Sequence, residues 1–232
     1  MNKIGIIGAM EEEITIIRDK MSITETRQIG GITFYDGRLY GKNIVLVMSG
    51  IGKVNAAACT QMLISEFRVD AVVNTGVAGS LNNELNIGDI VISQDVIQYD
   101  MDTTAFGDPL GLIPRMDKVE FEADSSLIDR FKRAADKVLE NQNVRLGRVL
   151  TGDAFVSSAE KKMFLRNHFA GDCVEMESGA IGHVSFLNKI PFVIIRAISD
   201  KADGTAEMNY NEFINIAARN SSMIVEEAIK AF

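Results

Sequence analysis

Pro191-Phe-Val-Ile-Ile-Arg-Ala-Ile-Ser-Asp200 decides how the rest of the chain is read. A run apolar at successive positions belongs to a strand covered on both faces, the setting of a sheet with helices packed over it. Arg196 stands inside the run, and Ser199 and Asp200 end it. A guanidinium removed from water without acceptors costs several kcal/mol. The acceptors must come from elsewhere in the chain. Glu13 in Ala9-Met-Glu-Glu-Glu13 and Glu177 in Val174-Glu-Met-Glu177 are the candidates, and the three segments together suggest a catalytic site.

The same alternation of short β-branched runs with longer patterns of helical period extends along the chain and marks an α/β protein. Strands are expected near 3–7, 32–39, 43–48, 70–75, 88–97, 145–151 and 191–198. Helices are expected near 11–20, 54–66, 125–141, 158–166, 178–187 and 210–231. Repeats, low-complexity segments and linkers are absent from the sequence, and Pro109, Pro114 and Pro191 fall where loops are expected. The longest irregular stretch is 98–117, and long ordered loops often carry function.

With 232 residues and 47% hydrophobic composition, one domain spanning 1–232 with a substantial core is expected. The net charge of −8, with no basic block, removes the main energetic term of nucleic-acid binding. Cys59 and Cys173 lie far apart and lack the spacing of a zinc site or a redox dithiol, which suits a reducing cytoplasm. The N-terminus runs into Lys3-Ile-Gly-Ile-Ile7 and three glutamates, unlike a secretory leader. No apolar run reaches bilayer-spanning length, so the chain is expected to be soluble, cytoplasmic and free of membrane contact.

Glycine pairs follow three of the strands: Gly5-Ile-Ile-Gly8, Gly50-Ile-Gly-Lys53 and Gly76-Val-Ala-Gly79. Each is read as a tight strand-to-helix turn. None has the G-x-G-x-x-G order of a dinucleotide fingerprint, which argues against a nicotinamide oxidoreductase, and Gly52-Lys53 is not a P-loop. Singly, each pair has a structural reading. Their shared place at strand ends matters more, because open α/β sheets bind ligands beyond the carboxyl ends of their strands.

Glu11-Glu12-Glu13 opens a helix, where the dipole favours carboxylates for structural reasons alone. Ile14, Ile16 and Ile17 mark the apolar positions that turn Glu13 toward the strand ends and leave its neighbours in water. Glu175 and Glu177 share a face if the segment is extended, while Glu177 also starts the helical pattern Ala180, Ile181, Val184 and Leu187, so a solvated helix start is the alternative. His183 is read as a packed core histidine and His168 as a surface residue; neither is given a catalytic role.

Gly5-Ile-Ile-Gly-Ala-Met-Glu-Glu-Glu13, Ser49-Gly-Ile-Gly-Lys-Val-Asn55, Asn74-Thr-Gly-Val-Ala-Gly79, Thr151-Gly-Asp-Ala-Phe155, Val174-Glu-Met-Glu177 and Arg196-Ala-Ile-Ser-Asp200 follow one another in an order that resembles the 5′-methylthioadenosine/S-adenosylhomocysteine nucleosidases. The likeness covers essentially the whole chain. It implies a nucleoside phosphorylase-like fold, a three-layer α/β/α sandwich with a central twisted mixed sheet, assembled as a homodimer. It also implies hydrolysis of the adenine N-glycosidic bond without cofactor or metal, in methionine salvage and recycling of S-adenosylmethionine by-products.

By the same resemblance, Asp200 is the acid that protonates N7 of the purine, with Ser199 orienting it, and Glu13 is the base that takes a proton from water. Glu177 binds the ribose hydroxyls, Met176 packs on the sugar, and Arg196 holds the water and the neighbouring carboxylates, with Glu175 placed in the same substrate site. Phe155 stacks on adenine and the Val156 backbone reads its edge, beside Val77, Ala78 and Gly79. Met10, Ile51 and Tyr210, with Phe106 and Pro114 from a second subunit, surround the 5′-alkylthio group. Two places depart from the family pattern. Val77 stands where many members have serine, and the sequence 98–112 differs in the wall facing the 5′-substituent, which leaves open the choice among methylthioadenosine, S-adenosylhomocysteine, 5′-deoxyadenosine and aminofutalosine.

Two rivals remain. A purine nucleoside phosphorylase of the same fold would need a cationic phosphate site, yet Asn74 stands where such enzymes place arginine, and Glu13 would repel the anion. A noncatalytic nucleoside-binding module would keep Phe155 and Glu177 but could dispense with Glu13 and Asp200.

Overall fold

The computed structural model describes residues 1–139 and 142–232, apart from the side chain of Met208. Among the described residues ten strands form one mixed sheet. They are β1 (Lys3–Gly8), β2 (Ser22–Ile29), β3 (Ile32–Leu39), β4 (Lys42–Met48), β5 (Ala71–Ser80), β6 (Ile90–Gln98), β7 (Glu120–Glu122), β8 (Val144–Thr151), β9 (Cys173–Glu175) and β10 (Phe192–Asp200). The helices are α1 (Glu11–Arg18), α2 (Lys53–Phe67), α3 (Ser125–Val138), α4 (Ala159–Phe169), α5 (Ser178–Asn188) and α6 (Ala206–Lys230).

Strand order is β10-β6-β8-β9-β5-β1-β4-β3-β2, with β7 beside β6 and a further pairing of β10 with β5. That last pairing closes β10, β6, β8, β9 and β5 into a ring, from which β1, β4, β3 and β2 run out as an open sheet. β1 lies parallel to β4 and β5, and β5 parallel to β10, whereas β6 meets β10 antiparallel. All ten residues of β5 and all nine of β10 are buried, as strands covered on both faces must be. One apolar cluster joins the sheet to α1, α3 and α6, and a second joins its other side to α2 and α5. The sheet is therefore sandwiched as expected.

Local chemistry sets the helices. Asp124 accepts from the Leu127 amide at 2.9 Å and caps α3, whose Leu127, Phe131, Ala134 and Ala135 form one buried stripe. The helix expected over 125–141 ends at Val138, and positions 140 and 141 lie outside the described residues. α6 starts at Ala206, one turn before the expected 210.

Three strands were not anticipated. β2 is an edge strand paired only with β3 and mostly exposed, so its polar sequence Ser-Ile-Thr-Glu-Thr-Arg-Gln-Ile lacks an apolar run; β7 and β9 have three residues each. Two of the expected glycine turns are also corrected. Gly5–Gly8 lies within β1 and Gly76–Gly79 within β5, because both segments continue their ladders, Gly76 opposite Arg196 and Gly79 opposite Val174. Only Gly50-Ile-Gly52 turns, with φ of 82° and 98° at its glycines, the left-handed region that glycine adopts without strain.

Candidate active site

Strand register brings the polar residues to one place. The carboxyl ends of β1, β4, β5, β8 and β10 converge there, and the first turns of α1 and α5 rise beside them. A cavity of about 370 Å³ opens between them, within the range of small-ligand pockets. Glu13, Glu175, Glu177 and Asp200 all reach its wall, with Ser199, Val77, Ala78 and Gly79 from the strands. Met10, Ile51, Phe155, Met176 and Tyr210 make the lining mainly apolar. A side recess continues past Gly79, Phe155, Met176 and Asp200 to Val156. Ala9 and Val174 also line the cavity and were not expected.

Glu13 is 1% exposed. It occupies the third position of α1 and reaches back to accept from the amides of Ala9 at 2.6 Å and Met10 at 3.1 Å, the return half of a capping box. Its other oxygen accepts from the Val77 amide at 3.0 Å, and Arg196 Nη1 stands 3.8 Å away. Burial pushes its carboxyl above the ordinary value, opposed by the guanidinium and these three amides. Glycine at 76 is required here: a Cβ would lie 2.2 Å from Arg196 Nη1 and 2.4 Å from Glu13 Oε1.

Arg196 is also 1% exposed and lies behind the cavity wall. The acceptors expected from the sequence were Glu13 and Glu177, yet its nearest carboxylate is Glu175, bound through Nη2. Asn74 Oδ1 accepts from the same nitrogen at 2.6 Å, and Ser178 Oγ accepts from Nε at 3.3 Å and from Nη2 at 3.1 Å. Glu177 is at 3.5 Å. Burial works against the arginine's charge, and Glu175, Glu177 and Glu13 outweigh it.

Glu177 accepts from the Gly52 amide at 2.9 Å, the task of the one true glycine turn. Its carboxyl is pushed up to about 8, first by burial and then by the charge of Glu175. Glu177 directly precedes α5, yet it is 4% exposed, so the solvated helix start is excluded.

Asp200 lies at the other end of the cluster. A register shift between Ile198 and Asp200 marks a bulge that re-aims the end of β10. Asp200 accepts from the Ala202 amide at 2.8 Å and shares a 2.9 Å hydrogen bond with the Ser199 hydroxyl. Burial pushes its carboxyl up, against those two donors.

Phe155 is half exposed, and its ring meets Tyr210 edge-on at 5.8 Å, while the Tyr210 hydroxyl contacts Met10 Sδ at 3.1 Å. Phe106, 88% exposed on a short 3-10 turn, and the exposed Pro114 stand away from the cavity of their own chain. His183 stacks on Phe121 and contacts Gln98 at 3.1 Å, and His168 is exposed. Asn74, Thr151 and Ser178 belong to the site's hydrogen-bond network and were given no role from sequence. An isolated asparagine in Val-Val-Asn-Thr was the one available signal. Among the described residues no cluster of His, Cys, Asp and Glu could hold a metal ion, and no helix is long and apolar enough to cross a membrane.

A ring-closed mixed sheet with acids lining one cavity at its strand ends goes with the class that the comparison shows: a model of the Phosphorylase superfamily matches residues 3–230. The 5′-methylthioadenosine/S-adenosylhomocysteine nucleosidase of Staphylococcus haemolyticus is 42% identical over 228 residues, covering 98% of this chain and 99% of the relative. The Neisseria meningitidis nucleosidase of that name, solved with methylthio-immucillin-A, superposes with a TM-score of 0.96 at 42% identity over the whole of both chains. The futalosine hydrolase of Helicobacter pylori gives a TM-score of 0.94 at 35% identity, covering 100% of this chain and 98% of its own. The chain belongs to the 5′-methylthioadenosine/S-adenosylhomocysteine nucleosidase family.

Proposed function

We propose that this protein hydrolyses the N-glycosidic bond of 5′-methylthioadenosine and S-adenosylhomocysteine, with Asp200 as general acid and Glu13 as general base. The carrying observation is that two buried carboxylates face one cavity from unlike surroundings, Glu13 beside a guanidinium and three amides, Asp200 with one amide and one hydroxyl.

Breaking the bond between C1′ and N9 leaves an oxocarbenium-like sugar and an anionic purine. Asp200 gives its proton to N7, so the base leaves neutral; its raised pKa keeps that proton available. Water then bonds to C1′ and its proton passes to Glu13, a division of labour like that of inverting glycosidases. Glu177 binds the ribose hydroxyls; holding a proton to about 8, it can donate as well as accept. Met176 packs on the sugar, Phe155 stacks on adenine, and Val156 in the side recess meets its edge.

Arg196 is already engaged by Glu175 and Asn74, so the site offers a phosphate nucleophile no free guanidinium, and Glu13 adds a carboxylate where the anion would approach. The 5′-thioether lies against Met10, Ile51 and Tyr210, an apolar setting suited to sulfur. Ile51 is 52% exposed, which leaves that end of the cavity uncovered. A homodimer in which the 104–114 segment of each subunit covers the other's 5′ end accounts for the exposure of Phe106. Two buried free thiols suit a reducing cytoplasm.

The test is adenine release from methylthioadenosine with and without phosphate, with identification of the sugar. Phosphate-independent release of free methylthioribose supports nucleosidase action; a requirement for phosphate and a sugar 1-phosphate product would place the chain with the phosphorylases. Parallel assays with S-adenosylhomocysteine, 5′-deoxyadenosine and aminofutalosine rank the substrates.

A further inference from the structure

Three carboxylates surround the Arg196 guanidinium, and they are not equivalent. Glu175 is bound directly by Nη2, whereas Glu177 stands at 3.5 Å and Glu13 at 3.8 Å. Glu175 is also the most fully occupied by protein donors. One oxygen accepts from the Thr151 hydroxyl; the other accepts from the Glu177 amide at 3.0 Å, the Ser178 amide at 2.9 Å and the Ser178 hydroxyl at 2.8 Å, besides the arginine. A carboxylate offers about four lone-pair directions, so little capacity is left for a substrate. Thr151 and Ser178 are themselves fixed: the Thr151 hydroxyl accepts from the Gly179 amide at 2.7 Å, and Ser178 Oγ lies 3.1 Å from Asn74 Oδ1.

We propose that Glu175 is a positioning residue, the built-in counter-ion of Arg196, which holds the guanidinium back from Glu13 and Glu177 so that Glu13 stays basic enough to activate water. It rests on the reading of Glu13 as general base. Without the charge of Glu175 the arginine turns to the two remaining carboxylates, and a carboxylate paired closely with arginine loses basicity by about one unit or more. Among the groups facing the cluster, Glu177 is itself held up partly by the charge of Glu175, so the limb is read together with the resolved Glu13 carboxyl titration. Cys173 beside Glu175 is held protonated well above its ordinary value by burial, and Tyr99 and, next to Glu13, Tyr210 are pushed up to about 12. The limb on the acid side therefore belongs to the carboxylates.

The test compares kcat/KM against pH for the wild-type chain, Glu175→Gln and Glu175→Asp, with thermal unfolding as the check on folding. Glu175→Gln is expected to lose about tenfold or more in kcat and to move the acid limb down by about one unit, as the base weakens. Glu175→Asp keeps the charge, so its limb stays at the wild-type position even where some rate is lost. A limb unmoved in Glu175→Gln, or moved equally in both variants, overturns the proposal. Should Glu175→Gln fail to fold, the aspartate variant decides: an unmoved limb supports the charge role and a shifted one contradicts it. Titration of ¹³C-carboxyl-labelled glutamates, with Glu13 assigned through Glu13→Gln, follows the same pKa without turnover. An inactive wild-type chain would thus sink the nucleosidase reading alone, and an unmoved Glu13 resonance in Glu175→Gln would sink only this one.

Discussion

The two ends of the proposed catalytic cluster solve opposite problems with the same functional group. At the Glu13 end, desolvation is countered by Arg196 and three backbone amides, so the charged form has partners waiting. At the Asp200 end the same desolvation meets one amide and one hydroxyl, with the Lys162 charge as a lesser aid. Burial alone does not define a catalytic carboxylate. In the proposed division of roles, base and acid differ in the supply of cations and N–H donors around each, and the fold provides it unequally: β5, β10 and the two residues before α1 crowd donors onto Glu13, whereas the bulge at the end of β10 leaves Asp200 with few.

The largest effects follow from neutralising either end. Asp200→Asn cannot supply a proton and Glu13→Gln cannot accept one, so each is expected to lower kcat by about 10²–10⁴, or roughly 3–5 kcal/mol of barrier. Steady-state adenine release measures both. Near-normal turnover in either variant removes that residue from its role, and unchanged thermal unfolding shows that chemistry rather than scaffold was lost.

Gly76→Ala attacks the crowded end without altering a charge. Its methyl group falls on Arg196 Nη1 and Glu13 Oε1, so kcat should fall by at least tenfold, with about 1–3 kcal/mol of stability, the usual cost of overpacking. Chemical denaturation and turnover read the two losses. A variant with wild-type values on both would show that the cluster can shift at no cost.

Glu177 gives a pH dependence of stability with a definite sign. Its folded pKa of about 8 lies above its ordinary value of 4.5, so the folded state holds the proton more tightly and stability falls as pH rises from about 4.5 to about 8. Glu177→Gln should flatten that part of the Tm profile relative to wild type. An equal slope in both chains would mean that the carboxyl titrates normally.

Ser199→Ala should have the smallest effect. Its hydrogen bond favours the ionised form of Asp200, so its loss raises the pKa further and moves the basic limb of the rate profile upward, with less than tenfold change in kcat. A downward shift would contradict the assigned direction.

The α/β architecture was legible because strands such as β5 and β10 are apolar at nearly every position and need cover on both faces. β2 was not, since an edge strand facing water carries no comparable run. In the site, Glu13, Glu177, Arg196 and Asp200 stood out as polar groups in or beside apolar segments. Their pairing did not. Sequence spacing could not rank Glu175 against Glu13 and Glu177 as partner of Arg196, because the choice depends on how the end of β9 meets β8 and the start of α5. The turn reading of Gly76-Val-Ala-Gly79 failed for a related reason: glycine serves there for close approach of side chains to an extended strand, and the sequence of a turn looks the same.

The division of roles between Glu13 and Asp200 is tested most directly by the pH dependence of kcat/KM for methylthioadenosine in wild type, Glu13→Gln and Asp200→Asn. A bell is expected for the wild type, with the acid limb missing in Glu13→Gln and the basic limb missing in Asp200→Asn. Persistence of both limbs in both variants would contradict the assignment of base and acid to these two carboxylates.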